Sequence, residues 1–229
     1  MRILFITFLL FNLATHIFSQ NYDIIYPIKE NFEKNMDIYD AKQNKIAYSN
    51  LKYNSIESVN GLTKINVLIK KYDTTNNVIE QKNYNVIFSD TSLMVDIKSF
   101  AEEGFNNQKN NIEIIENNII FPKYLSAKSK LPEANLFIKK DTKTTSNSYE
   151  IILKNRTIEE NKDIEINGQI YNCVRINYNM VINFSLMSMS KSMTFEIMDY
   201  FYSNIGLIKS EMFNENGKLL TTTILRNYK

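Results

Sequence analysis

The chain has 229 residues, with 27 Lys and Arg against 25 Asp and Glu, one His, one Cys and no Trp. That length suits one domain or two small ones, and 44% hydrophobic against 23% charged residues is a globular rather than a disordered composition. A net charge of +2 gives no field that would recruit nucleic acid, five glycines and three prolines exclude collagen-like and proline-rich architectures, and one cysteine forms no internal disulfide.

Met1-Arg2 precedes an apolar run from Ile3 to Leu13, and Ala14, Thr15 and Ser19 then lead into polar Gln20-Asn21. A positive start, an apolar stretch of about 7–15 residues and a small residue at the cut describe a secretory signal peptide. Residues 1–19 are therefore predicted to be removed after Ser19, leaving residues 20–229 as a single β-rich domain. The apolar run is shorter than the ~20 residues of a spanning helix, and no later segment reaches that length, so an integral membrane protein is not expected. The expected location is the periplasm, the outer-membrane surface or the outside. The single histidine, His16, falls in the removed segment. Its loss excludes Ser-His-Asp and Cys-His nucleophilic sites, histidine-ligated zinc and a histidine general base.

Extended segments broken by Asx-rich turns follow. Strands are predicted at Met36–Tyr39, Ile46–Val59, Leu62–Tyr72, Val78–Phe88, Ser92–Ile97, Ile112–Ile115 and Ile119–Phe121. Further strands are predicted at Asn135–Lys139, Tyr149–Lys154, Gln169–Ile176, Ile205–Phe213 and Lys218–Asn227. Asn60-Gly61 and Asn167-Gly168 are hairpin turns, because both residue types tolerate positive φ. Asp73–Asn77 and Asn214–Gly217 supply two more turns. Tyr39-Asp40 through Ile46 resembles Tyr72-Asp73 through Ile79, with a shorter version at Phe213–Leu219; these are either a duplication or independent good hairpin turns. Residues 98–111 break the pattern as one short helix or a long loop, and residues 140–148 read as a loop.

Alternation is clearest late in the chain. Ile176, Tyr178, Met180, Ile182, Phe184 and Leu186 occupy even positions, and Met187, Met189, Met193, Phe195 and Ile197 odd ones. Period two means a strand with one buried and one wet face, and the change of phase requires a bulge or turn, placed here at 188–192. The fold class is therefore mainly β: a single antiparallel, strongly curved sheet or open β-barrel.

Residues that could carry chemistry have weak patterns. Ser188-Met189-Ser190-Lys191 fits S-x-x-K, but the companion S-D-N and K-T-G elements of that mechanism are absent. Glu102-Glu103 and Glu159-Glu160 are adjacent pairs, which on a strand point to opposite faces and cannot converge on one bond. No phosphate loop, calcium loop or metal-ligand spacing occurs, so no catalytic residue, metal or cofactor is expected. Cys173 reads as a buried inert thiol, or alternatively as a reactive one. The Met and aromatic run offers either ordinary core or a deformable apolar cavity, with Tyr178, Met180, Phe184, Met193, Phe195 and Tyr200 as candidate ligand-binding residues.

Several segments, read in order, resemble the TapB-like family of exported bacterial proteins, built around a domain of unknown function. They are Tyr26-Pro27-Ile28-Lys29-Glu30, Tyr72-Asp73, Val95–Phe100, Leu131-Pro132-Glu133-Ala134, Asn167–Ile176 and Gly206–Glu211. An aromatic position usually filled by Trp is Tyr200 here. The resemblance implies an exported, mostly antiparallel β protein of the cell envelope and supplies no catalytic residues. The functional expectation is a non-catalytic envelope protein that binds a lipid, polymer or peptide segment on a concave β surface. The alternative is an adaptor that docks to an envelope protein by strand addition, with a hydrolase third.

Overall fold

The structure, a computed structural model, describes residues 20–21, 25–96, 111–141, 146–186 and 189–229. The signal peptide and its cut at Ser19, Glu102-Glu103 and Ser188 lie outside the described residues. So does the helix or loop near 98–111, except Asn111.

The strands are β1 (Gln20–Asn21), β2 (Glu33–Asp40), β3 (Lys45–Val59), β4 (Leu62–Asp73), β5 (Val78–Phe88), β6 (Ser92–Val95), β7 (Asn111–Asn117) and β8 (Ile119–Pro122). They continue with β9 (Tyr124–Leu125), β10 (Ala134–Asp141), β11 (Ser146–Ile158), β12 (Lys162–Ile166), β13 (Gln169–Leu186), β14 (Met189–Tyr202), β15 (Gly206–Asn214) and β16 (Leu219–Tyr228). β1 pairs with β9. All the others form one antiparallel sheet in the order β7-β10-β11-β13-β14-β15-β16-β2-β3-β4-β5-β6-β8, with β12 also against β13. The mainly β, antiparallel class expected from the sequence is the class observed.

The sheet must roll up. Its two outermost strands, β7 and β8, are separated in the chain by Asn118 alone. One residue cannot bridge the width of a flat sheet whose strands lie about 4.8 Å apart, so the right-handed twist of the strands has curled the edges together. β7 and β8 do not pair with each other, and the cylinder stays open along that line.

Alternation puts one face of each strand inside. In β4, Ile65 and Val67 are fully buried, while Asn66 between them joins a ladder on the other face, accepting from Asn54 at 3.0 Å and donating to Asn85 at 3.2 Å. The main core gathers Phe32, Ile65, Val67, Val86, Leu93 and Ile176. A second cluster, built on Met36, Tyr171, Cys173, Tyr200 and Ile208, packs around β12 and the start of β13.

Several strand expectations change: β1 and β9 are additional short strands, and β10 and β11 extend into the 140–148 stretch that reads as a loop. Gln169–Ile176 and the alternating run after it are one 18-residue strand, since nothing between them breaks the pairing with β14. β12 was not expected, because Lys162-Asp163-Ile164-Glu165-Ile166 offers only two apolar positions; the Asn167-Gly168 turn brings it against β13. The change of phase is the hairpin reversal itself. Leu186 pairs with Met189, a step earlier than the 188–192 stretch, and the reversal sets even residues of β13 beside odd residues of β14.

The turns explain the recurring Asx pattern. Asp40 Oδ1 accepts from the main-chain N–H groups of Lys42 and Asn44, Asp73 Oδ1 from those of Thr75 and Asn77, and Asn214 Oδ1 from those of Asn216 and Lys218. Each turn ends on a left-handed residue: Gln43 at φ 64°, Asn76 at φ 68° and Gly217 at φ 71°. Each is followed by a register shift in the hairpin. Glutamine is the worst suited of the three to that conformation. Gln43→Gly is expected to raise stability by about 0.5–1 kcal/mol, the αL penalty less the entropy glycine adds to the unfolded chain. A urea midpoint unchanged or lower than the parent's would refute this account of the turn.

Candidate functional site

A cavity of about 380 Å³ lies inside the roll. Its wall is drawn from β2 through β6, β8, β11 and β13 through β16, with Ile25 and Tyr26 from the segment before β2. Inward positions of these strands make most of it apolar, among them Met36, Ile38, Leu51, Ile69, Leu153 and Ile176.

Three charged side chains interrupt that lining: Lys34 on β2, Arg156 on β11 and Asp199 on β14. Lys34 is 6% exposed, and its Nζ donates to the carbonyls of Leu207 at 2.9 Å and Ile205 at 3.3 Å. Burial pulls its pKa down to about 7, against the opposing charge of Asp199. Arg156 is 2% exposed, and its Nη1 donates to the carbonyls of Pro132 at 2.5 Å and Ile120 at 3.3 Å. Its guanidinium lies 4.8 Å from the Phe121 ring centroid. Burial lowers its pKa to about 10, so it stays charged.

Asp199 accepts from the Tyr178 hydroxyl at 3.0 Å and from Ser210. Burial raises its pKa to about 6; those hydrogen bonds and the charges of Arg156 and Lys34 work in the other direction. Tyr26 and Tyr84 join hydroxyls at 3.1 Å on the same wall. The buried Tyr53 hydroxyl has no hydrogen-bond partner among the described residues, and burial raises its pKa.

Local geometry explains how Arg156 arrives there. Asn155 takes φ 56°, and between Lys154 and Thr157 the β11–β13 register shifts, so that Asn155 and Arg156 together face Tyr178. A bulge of this kind inserts one residue and changes which face the next side chain occupies.

Of the six residues singled out from the sequence, only Tyr178 lines the cavity. Met180 pairs with Phe195, Met193 with Ile182 and Phe184 with Lys191, farther along the same hairpin. The Met-rich run does not wall the cavity, because β15 ends opposite Phe195 and the rest of the hairpin projects past its neighbour. Tyr200 sits between the cavity residues Asp199 and Phe201 but faces the second cluster, 1% exposed, with its hydroxyl 3.0 Å from Glu211. Cys173 is fully buried, its Sγ 3.3 Å from the Tyr171 carbonyl, and burial pushes its pKa up to about 12. That environment keeps a thiol protonated and unreactive. Glu159 and Glu160 have separate partners, Arg175 at 3.7 Å and Lys128 at 2.8 Å.

The fold and cavity define a class: a rolled antiparallel sheet holding an apolar pocket with a charged centre. The chain belongs to the DUF3108-like family, whose model matches residues 29–225. Two solved structures share the fold. One is a candidate lipoprotein of Parabacteroides distasonis, 17% identical, with a TM-score of 0.69, 90% of this chain covered and 98% of that one. The other is a candidate exported protein of Bacteroides fragilis with a YmcC-like fold, 14% identical, with a TM-score of 0.68 and the same coverage. A search of the curated proteins finds no match. No helix among the described residues is long and apolar enough to cross a membrane.

Proposed function

We propose that this protein is exported to the cell envelope and there holds an apolar molecule inside its rolled sheet, without catalysing a reaction on it. The observation that carries the reading is the cavity: about 380 Å³, walled mostly by aliphatic and aromatic side chains and provided with a few polar groups. Ligand pockets have this composition and occupy about 300–1,000 Å³. Export is supported by the signal-peptide pattern of residues 1–19, by the TapB-like resemblance, and by structural neighbours described as exported or lipoprotein candidates.

Native mass spectrometry of protein purified gently from envelope extract tests the reading. A discrete added mass is expected, and it should disappear in Ile38→Phe, which fills the cavity from its wall. An added mass that survives in a folded Ile38→Phe protein would place the ligand elsewhere. A bare polypeptide mass in every preparation, with no apolar probe taken up in solution, would overturn the reading.

A second reading has one observation in its favour. Among the described residues β7 pairs with β10 alone and β8 with β6 alone, which leaves each an edge that a partner's strand could join. An added mass of peptide size, lost when proline is placed in β7, would favour this adaptor role.

A further inference from the structure

We infer that the cavity takes a single-chain amphiphile with a carboxylate head, the head seated between Lys34 and Arg156. The inference rests on the binding role proposed above and names the class of ligand.

Charge is the first support. The wall carries Arg156 and, when protonated, Lys34 against one carboxylate, Asp199, and these are its ionisable Lys, Arg and Asp side chains among the described residues. Charge buried in an apolar cavity without full compensation is unfavourable, and one added negative charge balances the set. A cationic or neutral head would leave the imbalance in place.

Hydrogen bonding is the second. Neither cation forms a direct ion pair with Asp199, whose hydrogen bonds come from Tyr178 and Ser210. Lys34 gives two of its three ammonium hydrogens to the carbonyls of Ile205 and Leu207. The hydrogen bonds of Arg156 to Pro132 and Ile120 both leave from Nη1, so the Nε and Nη2 side of the fork carries none among the described residues. A planar carboxylate is the group that a guanidinium edge recognises with two parallel hydrogen bonds.

Size and shape are the third. A volume of about 380 Å³ sits at the small end of the ligand-pocket range of about 300–1,000 Å³. It admits one alkyl chain and not a two-chain phospholipid. Ile38, Leu51, Ile69 and Leu153 supply the surface for that chain.

The test titrates the full-length mature protein with three probes of one chain length: carboxyl-13C-labelled decanoate, 1-decanol and decyltrimethylammonium, followed by NMR and calorimetry. Decanoate is expected to bind at least about tenfold more tightly than decanol, and the cation more weakly than both. Lys34→Met should remove most of the preference for decanoate over decanol. Equal affinity for acid and alcohol would overturn the carboxylate inference and leave the binding role standing. Preference for the cation would make Asp199 the anchor and overturn it too. No binding of any probe would overturn the inference and the proposed function together. If Lys34→Met does not fold, the comparison of probes on the unaltered protein decides alone.

Discussion

Arg156→Met lowers the folding free energy by about 3–5 kcal/mol, the expected range when one member of a buried charged set is removed. Methionine keeps much of the volume, so the loss is electrostatic rather than a cavity left behind. The carbonyls of Pro132 and Ile120 lose their shared donor, and Asp199 loses a compensating charge. The pH dependence identifies the second effect. Asp199 already has a folded pKa of about 6 against an ordinary 3.8. Between those values the folded state binds more protons than the unfolded state, and stability falls as pH rises. Without Arg156 the folded pKa climbs further and the fall continues to higher pH. The deficit of the variant, measured by urea unfolding, should therefore be larger at pH 8 than at pH 4.5. Equal deficits at the two pH values would show that Arg156 does not compensate Asp199.

Gly206→Ala has the next largest effect, a loss of about 2–4 kcal/mol. Gly206 opens β15 at φ 76°, where a β-carbon itself costs about 1–2 kcal/mol. The added carbon would also stand 2.5 Å from the Ile25 carbonyl oxygen, a main-chain atom that yields only if the whole segment moves. That segment continues into Tyr26, so the substitution should also loosen the Tyr26–Tyr84 hydroxyl contact on the cavity wall. Gly61→Ala is the control. Gly61 has a similar φ of 78° but nothing within 4 Å of an added carbon, and it should lose only the conformational share. A Gly206→Ala protein no less stable than Gly61→Ala would mean that the close approach to Ile25 carries no weight.

Strands and turns were legible in the residues because both are local. Val78–Phe88 matches its strand from end to end, and Asn60-Gly61 and Asn167-Gly168 adopt the positive φ their composition calls for. The cavity was less legible. Lys34 shares its phase with Met36 and Ile38, and Asp199 with Phe195 and Ile197, so both stand at inward positions of alternating strands. A charged residue in an apolar phase is the signal the sequence carries for both. Arg156 had no such signal, because the bulge at Asn155 changes the phase of β11 just before it. Nor does any periodicity reveal that β15 stops opposite Phe195 and leaves the Met-rich hairpin beyond the cavity.

The place of β16 in the sheet bears on the order in which the molecule can be built. β2 lies between β3 and β16, and Glu33 and Lys229 exchange main-chain hydrogen bonds of 3.1 and 2.9 Å. β16, the last of these strands in chain order, is thus a central strand of the sheet. Until it arrives, the β2–β6 meander and the strands up to β15 have no ladder between them, and the cavity they share has no complete wall. Contacts between such distant parts of a chain form slowly, because the loop must close before the pairing rewards it. Closure of the roll, and of the pocket inside it, therefore waits on the pairing of β16 with β2.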